Sequence, residues 1–281
     1  KADERVPFDF GQMTFTEAGT YVYRVDETNT GNDGHGLTYD EHTVDIVIVI
    51  RDNNAGNLVV DAIYPLDRAS TTFTNKYASE VNYPVAAASL SVQKTLKGHA
   101  MADGQFEFTV TPEDEASAKK VDLWQDDAIQ TETGSWGAAA DGQAAVTLID
   151  WNLTFNQADS GKTYTYTFAE VVPEDVPAGY SYDGTTYTVA ITPTDNQDGT
   201  MSVTTVVTKK TAEGESTETY TYSTDDPMDN IVLPFVNTYG TDAKTGDVAA
   251  DVAATKTLTG RDMDADEFNF EIVTREADGF D

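Results

Sequence analysis

The chain has 281 residues, with 17 Lys and Arg against 49 Asp and Glu, a formal net charge of −32. That length holds about two domains, and so acidic a surface repels nucleic acid and anionic membranes, neither of which is an expected partner. The absence of cysteine excludes disulfides, thiolate metal sites and cysteine nucleophiles, and no metal or other cofactor is expected.

Aromatic residues make up 10 % of the chain and fall in alternating runs, which argues for folded domains rather than disorder. Residues 20–27 read TYVYRVDE and residues 163–170 read TYTYTFAE. Such period-two runs predict half-buried strands. Residues 44–50, apolar but for Asp45, are the longest largely apolar stretch, a strand candidate far too short to span a membrane. DNNAG at residues 52–56 and DNQDG at residues 195–199 have the chemistry of hairpin turns. Neither supplies the alternating ligands and closing Glu of a calcium loop. Residues 113–122 are the one helix candidate.

The two strand runs align at an offset of 143, which holds through Gly36/Gly179, Tyr39/Tyr182, Asp40/Asp183, Asp52/Asp195 and Gly56/Gly199. The later copy carries extra residues within 204–229, after which FTNKY at 73–77 matches FVNTY at 235–239 at an offset of 162. Tyr77 to Lys94 and Tyr239 to Lys256 are both 17 residues. A repeat therefore runs through the chain. Residues 1–79 read as the later part of one module, 86–240 as a complete module and 252–281 as the beginning of a third. The expected fold is all-β, a tandem array of antiparallel β-sandwich modules related to the immunoglobulin fold. The chain reads as a piece of a longer array.

Residues 89–98, SLSVQKTLKG, hold the most informative position. On a strand Leu90, Val92, Lys94 and Leu96 share one face, so Lys94 points into a core, where lysine is rare unless paired. The same pattern returns in AATKTLTG at residues 253–260, with Lys256 in place of Lys94. By the same parity Glu170 shares a face with Tyr164, Tyr166 and Phe168, and Asn237 with Leu233 and Phe235. Glu27 and Asn75 take these places in the first repeat. Each residue alone has an ordinary explanation: a solvated strand-end Glu, a turn Asn, a Lys that reaches along apolar surface to water. Their joint recurrence makes those readings weak. Burial favours a neutral amine and a protonated carboxyl. A neutral amine is a nucleophile. A protonated Glu170 donating to the Asn237 amide oxygen would stabilise the tetrahedral intermediate and pass a proton to the leaving ammonia. The expected product is a Lys–Asn isopeptide bond, formed once within the chain rather than by turnover of a diffusible substrate.

The segments K-T-L-x-G, Y-x-Y-x-(V/F)-x-E and F-x-N-x-Y, in this order, resemble those of pilin isopeptide-linkage domains, the CnaB-like modules of Gram-positive pili and surface adhesins. The resemblance implies a β-sandwich in which Lys94 of the first strand joins Asn237 of the last, with Glu170 assisting. It also implies that Glu27 and Asn75 match a module whose lysine lies before residue 1. Lys256 matches a module whose Glu and Asn lie after residue 281. The implied role is a structural stalk or shaft on the bacterial cell surface, extracellular and attached to the cell wall, with neighbouring modules of the same chain as partners. Leu233-Pro234 is not part of a sortase signal, and the joint VNYPVA carries no pilin-motif lysine. Both departures favour an adhesin stalk over a polymerising pilin.

The rival reading is a binding module whose loops hold a host protein or glycan, and Trp124, Trp136 and Trp151 in unshared segments keep it in play. His35 and His42 align with Ala178 and Thr185, so histidine is not a repeat-wide ligand. The head and tail of the chain are nearly complementary halves of a module, which raises the expectation that Lys256 of one copy meets Asn75 of another. Phe8, Phe10 and Tyr23 would be exposed core residues of such a half.

Overall fold

The computed structural model describes residues 4–83, 90–151, 153–223, 230–241 and 255–271. The chain divides into two compact units, Lys1–Thr241 and Asp242–Asp281.

The first unit opens with the earlier copy of the repeat. Its strands are β1 (Gly19–Asp26), β2 (Leu37–Thr38), β3 (Thr43–Asp52), β4 (Leu58–Pro65) and β5 (Lys76–Tyr77). They form an antiparallel sheet in the order β1-β3-β4 and a small pair, β2-β5. The turn predicted at residues 52–56 closes the β3–β4 hairpin, with Asn53 N–H donating to Asn57 O at 3.0 Å. Phe8 and Phe10 are largely exposed and Tyr23 partly so.

β6 (Glu80–Tyr83) follows directly. The second repeat then comprises β7 (Leu90–Lys97), β8 (Glu107–Pro112), α1 (Glu115–Lys120), β9 (Trp124–Gln125), β10 (Ala128–Ile129) and β11 (Glu132–Ser135). It continues with β12 (Ala144–Ile149), β13 (Leu153–Asn156), β14 (Tyr164–Glu170), β15 (Tyr180–Ser181), β16 (Thr186–Asp195), β17 (Met201–Thr211), β18 (Gly214–Tyr222) and β19 (Ile231–Tyr239). Two sheets make the sandwich, a four-stranded one ordered β12-β7-β19-β15 and a six-stranded one ordered β11-β8-β14-β16-β17-β18. Their inner faces hold the core, in which Phe235 of β19 packs edge-on against Tyr187 of β16 at 5.2 Å.

Parity explains the layers. β14 alternates buried and half-buried residues along its whole length, because every second side chain meets the facing sheet. One feature departs from the antiparallel expectation: β7 and β19 pair in parallel, with Lys94 opposite Phe235 and Leu96 opposite Asn237. The first and last strands of the repeat thus lie side by side. The helix is shorter than expected; Asp114 caps it, its carboxylate accepting from Ser117 N–H at 2.7 Å, and Asp122 beyond it has a positive φ of 59°. The extra residues of the second repeat extend β17 and supply β18, with 224–229 outside the described residues.

The segment between the repeats is structured where it is described. β6 pairs with β13, and Tyr83 enters the second repeat's core, where its hydroxyl meets Thr205 Oγ1 at 2.7 Å. The repeats also touch directly: Tyr77 OH donates to Asp195 Oδ1 at 2.6 Å and accepts from Gly199 N–H at 3.2 Å. Gly199 has φ +83°, and a Cβ there would lie 2.5 Å from Gly36 N. Glycine is therefore required both by the turn and by the close approach.

In the second unit, residues 255–271 contain no strand. Lys256 is exposed, its Nζ 4.5 Å from the Phe268 ring centroid. The inward strand expected around Lys256 is therefore not formed among the described residues. A lone strand has no partner for its backbone groups.

Candidate functional site

Three strands deliver three polar side chains to one point in the core of the complete repeat. Lys94 lies on β7 between the buried Val92 and Leu96, Asn237 on β19 two residues after Phe235, and Glu170 at the end of β14 in the facing sheet. Lys94 and Asn237 are fully buried, and no side-chain surface of Glu170 reaches solvent.

Lys94 Nζ lies 2.6 Å from Glu170 Oε1. Its approach is outside hydrogen-bonding geometry, so the two groups are in contact without a directed N–H···O bond. Asn237 Nδ2 donates to the same Oε1 at 2.7 Å. The two nitrogens are thus no farther apart than the sum of those distances. Asp183 N–H donates to Asn237 Oδ1 at 2.7 Å and to Glu170 Oε2 at 3.3 Å. The amide orientation follows from these contacts, since a backbone N–H can face only the oxygen of the carboxamide. The Asn237 oxygen expected to meet Glu170 is instead held by Asp183 N–H, and Glu170 receives the amide nitrogen.

The surroundings are apolar. Lys94 Nζ is 5.0 Å from the Phe106 ring centroid and 5.5 Å from that of Trp136. Burial pushes the Lys94 ammonium down from its ordinary pKa, against the opposing pull of Glu170. Burial likewise pushes the Glu170 carboxyl up, opposed by Lys94 and Asn237. Both shifts favour the uncharged pair.

The first repeat holds a matching but open site. Asn75 Nδ2 donates to Glu27 Oε1 at 2.8 Å, and Asp40 N–H donates to Asn75 Oδ1 at 2.9 Å. Asn75 is exposed and Glu27 half-buried, beside a cleft lined by Arg24, Asp26, Asp40 and His42. His42 ring Nδ1 contacts Asp40 Oδ1 at 2.6 Å. That bond, with the Thr74 N–H, holds the Asp40 carboxyl down at about 2.

A sequence model of the FctA family, described as Spy0128-like isopeptide containing domain, matches residues 1–78 and 90–240. The chain belongs to this family. Its FctA match falls on the two repeats that carry the Glu–Asn contacts. Among solved structures, the major pilin protein (T-13) of Streptococcus pyogenes is 19 % identical, covering 81 % of this chain and 70 % of that one at a TM-score of 0.19. A variant of the Streptococcus pyogenes major pilin is 17 % identical over 83 % of this chain and 74 % of that one, at a TM-score of 0.24. No curated protein matches.

The sequence pattern missed Asp183 as a contact of the site. Its signal was present in the Asp40/Asp183 correspondence, but both residues lie in turns, where strand parity assigns no face. Trp136 and Trp151 serve packing. Trp136 is buried, its Nε1–H donating to Val92 O at 3.1 Å, and Trp151 lies against Tyr166 at 4.4 Å.

Proposed function

We propose that residues 86–240 are a self-cross-linking module of a structural stalk or shaft, an adhesin stalk or a pilus, on a Gram-positive cell surface. Lys94 Nζ adds to Asn237 Cγ, the amide π pair moves onto Oδ1, and a tetrahedral centre forms. Glu170 Oε1 passes a proton to Nδ2 and receives one from Nζ. The Cγ–Nδ2 bond breaks, ammonia leaves and a secondary amide remains, so Glu170 ends as it began. The reaction happens once per module and releases no other product.

One observation carries this reading: the nucleophile nitrogen and the leaving nitrogen both lie against the same oxygen, Glu170 Oε1. A single group so placed can move the proton between them. The energetics agree. Keeping a charged pair in a core costs several kcal/mol per ion before mutual attraction is counted, and the neutral amide removes that cost. The bond joins β7 to β19, the first and last strands of the repeat, so a pulling force passes through it without unfolding the sandwich. The Tyr77–Asp195 contact and β6 then transmit load between repeats. Neighbouring modules are its partners in this role, and completion of the Glu27–Asn75 site by a lysine-bearing strand extends the same chemistry to the first repeat.

Intact mass tests the reading. The folded parent chain should be lighter than its sequence by at least one ammonia, and Glu170→Ala should restore that ammonia while keeping the fold. A parent of unmodified mass would overturn it.

A further inference from the structure

Asp183 makes more contacts than its turn requires. It is half-buried between β15 and β16. Its Oδ1 accepts from Thr185 N–H at 2.9 Å, the bond of an ordinary Asx turn. Its Oδ2 accepts from Val236 N–H at 2.7 Å, which ties the turn to β19 one residue before Asn237. With the side chain anchored at both oxygens, the Asp183 backbone N–H is aimed at Asn237 Oδ1 at 2.7 Å.

The first repeat reproduces this set of bonds. Asp40 Oδ1 accepts from His42 N–H at 3.1 Å, and Asp40 Oδ2 from Thr74 N–H at 2.6 Å. Asp40 N–H then donates to Asn75 Oδ1 at 2.9 Å. That site is open to solvent and no lysine contacts it among the described residues, yet the arrangement is the same. It is therefore a property of the turn and the last strand, not a by-product of burying a lysine.

We propose that Asp183 is the positioning residue of the cross-linking reaction, its carboxylate holding its own backbone N–H as the oxyanion donor to Asn237. The proposal rests on the reading of residues 86–240 as a self-cross-linking module. Two consequences follow from the geometry. When Lys94 adds to Cγ, negative charge grows on Oδ1, where the N–H already stands and needs no reorganisation. The same N–H turns the carboxamide so that Nδ2, the leaving group, faces Glu170 Oε1. A flipped amide would place its oxygen against the carboxyl and its nitrogen against a donor. The carboxylate of Asp183 touches no reacting atom; it acts through the position of the main chain.

The test follows ammonia loss by intact mass from the end of cell-free synthesis of the 281-residue chain. Asp183→Ala, Asp183→Ser and the parent are compared, and only protein with the near-UV circular dichroism of the folded chain is counted. Serine keeps one acceptor for the Thr185 turn bond and loses the tie to Val236. Loss of an oxyanion donor costs roughly 100- to 1,000-fold in rate. Here the donor is loosened rather than removed, so about tenfold to 100-fold slower bonding is expected for Asp183→Ala, with Asp183→Ser between it and the parent. In a Lys94→Met background, which cannot bond, the Asp183 amide proton should be protected from exchange. Adding Asp183→Ala to that background should remove the protection at the same backbone position. That readout separates positioning from a general loss of stability. Folded Asp183→Ala that bonds at the parent rate overturns the proposal. If Asp183→Ala does not fold, Asp183→Ser decides alone, slowed bonding supporting the proposal and parent-rate bonding overturning it. A parent that never loses ammonia would instead defeat the cross-linking reading itself.

Discussion

Lys94 and Asn237 stand on the same inward face of two neighbouring parallel strands, two register positions apart, because Lys94 pairs with Phe235 and Asn237 with Leu96. A bond between them would lie within one sheet and close a loop spanning nearly the whole repeat. Glu170 reaches both residues from the facing sheet. The stability, pH behaviour and mechanics of the chain follow from this arrangement.

The first prediction concerns stability. Closing a loop of about 143 residues constrains the unfolded chain by roughly 5 kcal/mol on the chain-entropy estimate used for disulfides. For a domain of this size that corresponds to roughly 10–20 °C in the melting midpoint. Lys94→Ala should lower the midpoint of the complete repeat by at least that much, since it also leaves a cavity. It should also open the repeat to trypsin. Differential scanning calorimetry is the check, and a midpoint within a few degrees of the parent would show that no staple is present.

The second concerns pH. In Lys94→Met the amine that pulls the Glu170 pKa down is gone, and burial still holds the carboxyl above its ordinary 4.5. A group whose folded pKa is raised contributes stability that is present below its unfolded pKa and is lost as pH rises through the folded value. Lys94→Met should therefore be most stable near or below pH 4.5 as far as this group is concerned, and should lose stability on the alkaline side. The bonded parent, in which the Lys94 nitrogen has become an uncharged amide while Glu170 stays buried, should show the same component. Urea midpoints for both proteins across the acid-to-neutral range check it: parallel pH slopes are expected, and a parent whose midpoint does not fall with rising pH would contradict it.

The third concerns the contact between repeats. Tyr77→Phe removes the hydroxyl that bridges Asp195 and Gly199. Gly199→Ala adds a Cβ only 2.5 Å from Gly36 N at a φ of +83°. Tyr77→Phe should cost on the order of 1–3 kcal/mol of coupling, as for a hydrogen bond to a charged group, and Gly199→Ala more. Both should raise amide exchange at Gly36 and Gly199 while leaving the second repeat's core protected. Unchanged exchange would mean that the repeats are held by β6 alone.

Much of the site was legible because strand parity is a strict code. Alternation placed Lys94, Glu170 and Asn237 inward, and all three are buried. The repeat supplied the matching Glu27 and Asn75, which are in contact. Turn chemistry identified both hairpins. Three things were not legible, each for a physical reason. Asp183 lies in a turn and acts through its backbone N–H, and no side-chain pattern encodes that. Parity gives a face but no strand direction, so the parallel β7–β19 pair could not be read. Tyr83 belongs to a stretch read as a joint, and its burial, with its hydroxyl against Thr205 Oγ1, shows that it is core. Residues 256–260 carry the K-T-L-x-G motif of residues 94–98 but form no strand, since a strand's pattern has effect only where neighbouring strands receive it.

The most direct measurement is peptide mapping by tandem mass spectrometry of the folded, denatured and digested chain. The account predicts a branched peptide in which Lys94 is joined through Nζ to the side-chain carbonyl of Asn237, with ammonia lost, and predicts that the branch is absent from Glu170→Ala. Recovery of two linear peptides from the folded parent, one with a free Lys94 amine and one with an intact Asn237 carboxamide, would contradict it.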